Sequence, residues 1–200
     1  MREVEIKAVV DNWEERTRLL ERGGARLIFR GRLEDRRYDT PERTLASRDQ
    51  MLRLRVYRDH DSTAPARAEL AWKGPTSVDD GYKVREELQA ATTDADTLAD
   101  ILRSLDYIVT LAIDRDIIQY EVEGATVRFE HYPRMDDLVE VEGQPEAIER
   151  AVAMLGLPRA AFSSERLLAF TARFETRAGQ PAALCDAELA GPAGCDADDG

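Results

Sequence analysis

The stretch Glu3-Val4-Glu5-Ile6-Lys7 alternates charged and apolar residues with a period of two. Residues two apart on a β-strand point to the same face. Glu3, Glu5 and Lys7 therefore project together, and Val4, Ile6 and Ala8 project the other way. Such a face is either the solvated side of an antiparallel sheet or the floor of an ion-binding site. The other strands decide between the two.

Seven more extended segments follow, over residues 25–39, 51–58, 67–73, 82–89, 107–122, 125–132 and 138–142. In the first, Leu27 and Phe29 alternate with Arg residues. In the next, Leu52, Leu54 and Val56 oppose Arg53, Arg55 and Tyr57. Leu70 and Trp72 oppose Glu69, Ala71 and Lys73; Val127 and Phe129 oppose Arg128 and Glu130; Val139 and Val141 oppose Glu140 and Glu142. Tyr38-Asp39-Thr40-Pro41 ends a strand, because Pro has no N–H for a sheet and restricts the residue before it. Glu123-Gly124 reads as a hairpin turn, and residues 74–81 as a loop. Helices are predicted over 12–22, capped by Asp11 or Asn12, and over 94–105, with an apolar stripe at Leu98, Ile101, Leu102 and Leu105. Two more run from Pro145 to Gly156 and from Ser163 or Ser164 to about Phe174, burying Leu167, Phe170 and Phe174.

This is an α+β chain, and eight antiparallel strands favour closure, which removes unpaired edges. With helices outside, the charged faces line the interior. They carry Glu3, Glu5, Lys7, Arg53, Arg55, Glu69, Lys73, Lys83, Arg85, Glu87, Arg115, Arg128, Glu130, Glu140 and Glu142. A lumen of mixed charge is costly unless it is a salt-bridge network or holds water and ligand. Acids recur two apart at Glu3/Glu5 and Glu140/Glu142, the donor chemistry of hard cations such as Mg²⁺ or Mn²⁺. Bases recur two apart at Arg53/Arg55 and Lys83/Arg85; Arg grips phosphate through paired hydrogen bonds and Lys adds a point charge. Acids beside bases are what metal-assisted phosphoryl chemistry requires.

Composition narrows the partners. The chain of 200 residues has a net charge of −12, which argues against generic nucleic-acid binding. No run approaches the ~18 apolar residues of a membrane span, and the opening residues lack an apolar signal region. A cytoplasmic protein is the expectation, with Cys185 and Cys195 as free thiols. One domain is expected over residues 1–175. Residues 176–200, rich in Ala, Gly, Pro and Asp, are expected to be a disordered acidic tail. His60, His131, Trp13 and Trp72 lack the company that would give them a functional reading.

Together, Glu3-Val4-Glu5-Ile6-Lys7, Tyr38-Asp39-Thr40-Pro41, Leu52-Arg53-Leu54-Arg55, Trp72-Lys73-Gly74, Lys83-Val84-Arg85-Glu86-Glu87 and Val139-Glu140-Val141-Glu142-Gly143 resemble, in order, the motifs of the CYTH superfamily. These are the triphosphate tunnel metalloenzymes: class IV (CyaB-type) adenylate cyclases, thiamine triphosphatases and inorganic triphosphatases. The resemblance runs to about residue 174. It implies an eight-stranded antiparallel β-barrel tunnel, helices packed outside, and a triphosphate with Mg²⁺ or Mn²⁺ in the lumen.

Carried over by position, Glu3, Glu5, Glu130, Glu140 and Glu142 are the implied metal ligands. Lys7, Arg53, Arg55, Lys73, Arg85 and Arg115 are the implied phosphate ligands, with Lys7 and Glu5 as catalytic residues. Two departures stand out. Many members have a base two residues before the arginine matching Arg115; here it is Ile113. The basic residue on the last helix is Arg166 or Arg173. The implied partner is a small-molecule triphosphate, and a homodimer is left open. The implied activity is metal-dependent triphosphate hydrolysis. The alternatives are an adenylate cyclase forming cyclic AMP and pyrophosphate, and a non-catalytic polyphosphate-binding module. Class IV cyclases often share a His-Phe just upstream of the first motif, for which this sequence has no room; that favours the hydrolase. Arg55→Ala is expected mainly to weaken triphosphate binding.

Overall fold

The computed structural model describes residues 2–63, 65–80 and 82–189, without the side chains of Arg2, Glu3 and Lys83. Among these residues nine strands form: β1 (Arg2–Val9), β2 (Arg26–Asp39), β3 (Met51–Asp59), β4 (Arg67–Lys73), β5 (Ser77–Asp79), β6 (Tyr82–Thr92), β7 (Ile108–Val122), β8 (Ala125–His131) and β9 (Leu138–Gly143). Their order is β1-β9-β8-β7-β2-β3-β4-β6-β5, and β1 also pairs with β6. That last pairing, Glu3 opposite Arg85 and Glu5 opposite Lys83, closes eight antiparallel strands into a barrel. The ninth strand, β5, is the surprise inside the segment read as a loop. It pairs with β6 from Val84 back to Tyr82, just beyond the end of the β4 ladder. The β7–β8 hairpin turns where expected, with Glu123 and Gly124 both at positive φ, as a primed turn requires.

The helices are α1 (Trp13–Arg22), α2 (Ala95–Ser104), α3 (Pro145–Leu155), α4 (Leu167–Ala178) and a single turn, α5 (Asp186–Leu189). Asn12 caps α1, accepting from the Glu15 N–H, and Asp94 caps α2 through Thr97. Leu20 of α1 and Ile148, Val152 and Leu155 of α3 cover Ile6, Val127, Phe129 and Val141 on the outer wall. Leu102 of α2 covers Tyr38 and Leu54. Only part of its predicted stripe is used, since Ile101 and Leu105 stay exposed. Ser163 does not cap α4; its backbone instead pairs with that of Lys7, and Arg166 takes the cap position.

α4 lies against one region of the barrel, where Leu167 and Phe170 join Ile113, Tyr132, Leu138 and Leu184 in a buried cluster. Phe174, expected to be buried, is only partly so. The tail boundary expected at residue 176 falls inside this helix. Gly179 ends α4 in the left-handed conformation, and the chain returns so that Ala183 pairs with Arg134 and Leu184 and Cys185 are buried. Cys185 is a free thiol, while Cys195 and residues 190–200 lie outside the described residues. A lone apolar residue in an Ala-rich segment carries no periodic signal, so its docking was invisible in sequence. Leu184→Ala is expected to cost about 2–5 kcal/mol, the range for truncating a buried leucine. Denaturant unfolding would read this, and an unchanged midpoint would mean the segment adds no stability.

Candidate active site in the barrel interior

Strand alternation places the inner face. β2 contributes Leu33, Asp35 and Arg37, β3 contributes Arg53, Arg55 and Tyr57, and β7 contributes Ile113, Arg115 and Ile117, in rows fixed by the ladders Leu33–Tyr57, Asp35–Arg55 and Arg37–Arg53. Leu33, Tyr57 and Ile117 pack together as an apolar plug in the interior. Next to it lies a charged cavity of about 60 Å³. Its wall carries eight cations, Lys7, Arg37, Arg53, Arg55, Lys73, Arg85, Arg115 and Arg128, against four carboxylates, Glu5, Asp35, Glu130 and Glu140. Met51, Ile113, Tyr132 and Leu167 complete it.

The carboxylates tie these cations together. Asp35, wholly buried, receives Arg55 Nε at 3.2 Å, with Arg115 and Arg53 at 3.9 and 4.0 Å. Burial would push its carboxyl upward, but Arg55, Arg53, Arg115 and Arg37 together hold it well below the ordinary range. Glu130 Oε1 receives both Arg115 Nε and Arg128 Nε at 3.0 Å, and Oε2 accepts the Tyr132 hydroxyl at 2.6 Å. Against its burial, Arg115, Arg128 and Lys7 hold Glu130 down as well. Glu140 bridges Lys7 and Arg128. Lys7 Nζ also lies 3.5 Å from Glu5. Glu87 joins Arg53 at 2.9 Å to Lys73 at 3.5 Å. Arg85 donates to the backbone carbonyls of Gly74 and Asp49.

Of the expected phosphate ligands, Lys7, Arg53, Arg55, Lys73, Arg85 and Arg115 all line this cavity. Of the expected metal ligands, Glu5, Glu130 and Glu140 line it too. Glu142 stands directly opposite Glu5 in the β1–β9 register but is not in the cavity wall. The Glu3 side chain lies outside the described residues. Among the described residues no three acidic or histidine side chains are gathered as a ready metal cluster. Glu130 already has both oxygens occupied, so it acts here as the counter-ion of Arg115 and Arg128. Arg55 is held by Asp35, Glu69 and Tyr57. Its truncation is therefore expected to break a buried network, adding a stability cost to the expected weakening of triphosphate binding.

Ile113 points inward, apolar where many relatives were expected to carry a base. Sequence reading missed Asp35, Arg37 and Tyr132.

A second cavity, about 350 Å³, adjoins the first through the shared residues Arg37, Met51 and Arg85. Its wall includes Arg43, Arg166, Leu111 and Leu168. Asp39 shapes this vestibule: its carboxylate accepts the N–H groups of Thr40, Leu45 and Ala46 and so folds the β2–β3 loop. Of the two candidate bases near α4, Arg166 lines the vestibule and pairs with Asp49, while Arg173 pairs with the exposed Glu165.

A family profile described as the CYTH domain matches residues 1–151. The chain belongs to the CYTH family. Solved structures share the CYTH chain's fold. The PH1819 protein of Pyrococcus horikoshii OT3 is 25% identical with a TM-score of 0.67, over 83% of this chain and 96% of its own. A candidate adenylate cyclase from Vibrio parahaemolyticus is 19% identical with a TM-score of 0.71, over 85% and 97%. A candidate adenylyl cyclase from Hippeastrum, described as having a dominant triphosphatase activity, is 16% identical with a TM-score of 0.58, over 90% and 96%. No curated protein matches the sequence. In this CYTH chain, no helix among the described residues is long and apolar enough to cross a membrane.

Proposed function

We propose that this CYTH chain is a divalent-metal-dependent hydrolase of triphosphates. One observation carries the reading: an acidic protein, net −12, encloses a cavity where eight cations face four carboxylates. That inversion of charge, set in a low-dielectric wall, focuses potential on an anion. A linear triphosphate carries negative charge on every phosphoryl group and suits a row of guanidinium donors. The cavity of about 60 Å³ holds only a few waters. Entry of a triphosphate therefore exchanges internal ion pairs for contacts to the ligand.

The residues present fit a hard divalent cation. Glu5 and Glu142 are directly opposed on adjacent strands, so two carboxylates can meet one hard cation from neighbouring strands. Glu140 is two residues along the same face of β9. Glu5 and Glu142, with Glu3 next along β1, would hold Mg²⁺ or Mn²⁺, while Glu140, whose two oxygens meet Lys7 and Arg128, serves those cations as Glu130 serves Arg115 and Arg128. Bound there, the ion would neutralise phosphoryl charge and acidify water. Arg53, Arg115 and Lys73 bind and align the phosphate chain. Lys7, set between Glu5 and Glu140, donates to the attacking oxygen or a phosphoryl oxygen and holds it in line.

A second reading, cyclisation of ATP, is favoured by the vestibule, which offers room for a nucleoside beside a tunnel-bound triphosphate. Structural neighbours carry both descriptions. The deciding experiment supplies Mg²⁺ or Mn²⁺ with ATP, tripolyphosphate or thiamine triphosphate and resolves the products. Orthophosphate from tripolyphosphate is the expected result. Cyclic AMP with pyrophosphate would overturn the hydrolase reading, and tight binding without turnover would leave a binding module.

A further inference from the structure

We propose that Arg37 is a substrate-binding residue that grips the phosphate chain where the tunnel opens into the vestibule. This rests on the tunnel's being a triphosphate site. Arg37 is one of three residues that line both cavities. Period-two alternation along β2 turns it inward with Leu33 and Asp35. Its ladder neighbours are Arg53 on β3 and Leu111 on β7, so neither flanking strand sets a carboxylate opposite it.

The other guanidinium groups of the inner wall are engaged. Arg53 has Glu87, Arg55 has Asp35 and Glu69, Arg115 and Arg128 share Glu130, and Arg85 donates to two carbonyls. Arg37 differs. Among the described residues its side chain makes no ion pair within 4.0 Å and no hydrogen bond, and its Nε is shut off from solvent without a partner. A buried donor left unpaired is unfavourable and rare. Here burial, together with Arg53, Arg115 and Arg55, presses its pKa below the ordinary guanidinium value, and Asp35 only partly offsets this. An anion that reaches Arg37 satisfies the donor and relieves the crowding of like charge, both of which the ligand-free protein lacks. β7 offers no help on this wall, since Leu111 and Ile113 are apolar there.

The test compares the native protein with Arg37→Gln and Arg37→Lys, using inorganic tripolyphosphate as the probe. The Gln variant is expected to raise KM, and the Kd from calorimetry, by about ten- to a hundredfold, as for a lost charge-assisted hydrogen bond. kcat should change far less, and Arg37→Lys should recover part of the loss. The ligand-free Gln variant should melt no earlier than the native protein, because it loses a crowded cation. Tripolyphosphate binding by Arg37→Gln equal to native would overturn the assignment. So would a lower ligand-free melting point with unchanged KM, which would make Arg37 structural. A native protein that binds no tripolyphosphate would instead overturn the tunnel reading itself, and the assignment with it.

Discussion

Asp35→Ala should destabilise the ligand-free protein by about 3–5 kcal/mol, the cost of removing one partner from a buried ion pair. At this chain length that lowers the melting midpoint by roughly 6–20 °C. Asp35 is the carboxylate around which Arg53, Arg55, Arg115 and Arg37 converge. Without it, four guanidinium groups face one another across a cavity of low dielectric. The sign of the pH dependence follows. The Asp35 carboxyl is held below its unfolded value, so its contribution is fully present above about pH 4. It is lost as pH falls through the folded value. The native protein should therefore lose more stability on acidification than the variant does. Tripolyphosphate should raise the midpoint of Asp35→Ala more than that of the native protein, because the anion takes over the missing negative charge. Differential scanning calorimetry over a falling pH series, with and without tripolyphosphate, reads all three effects. A variant as stable as the native protein would show that the cations do not depend on Asp35.

β1, β3, β8 and β9 were readable because each sets two charged residues two apart on one face and apolar residues on the other. Glu5/Lys7, Arg53/Arg55, Arg128/Glu130 and Glu140 all face inward as their alternation implied. β2 and β7 do not keep one chemistry per face. On β2 the inner row runs Leu33, Asp35, Arg37, from the apolar plug into the charged layer. On β7 it runs Ile113, Arg115, Ile117. Sorting whole strands into an apolar outside and a charged inside therefore hid Asp35 and Arg37, although they continue the period set by Phe29. The chemistry of the barrel changes along its axis, and a face-by-face reading of single strands cannot register that. The docking of α4 was legible in Leu167 and Phe170. The return of Leu184 beneath it was not, because one leucine among alanines has no pattern to read.

Glu5→Gln should cut metal-dependent turnover at least about a hundredfold, the scale on which removal of one charge-stabilising group acts. The amide keeps the size and one acceptor oxygen of the carboxylate but removes its charge. Stability should move far less than turnover. The contact to Lys7 at 3.5 Å is weakened. At Glu5 activity is thus expected to fall with little change in stability, whereas the expected effect of Asp35→Ala is on stability. The contrast distinguishes a carboxylate kept for a cation from one kept for the fold. Titrating Mn²⁺ or Mg²⁺ against tripolyphosphate hydrolysis makes the distinction sharper. If Glu5 holds the ion, the variant needs more metal and still turns over slowly at saturation. Glu5→Gln with native turnover and native metal dependence would remove Glu5 from the metal site and leave it as a partner of Lys7.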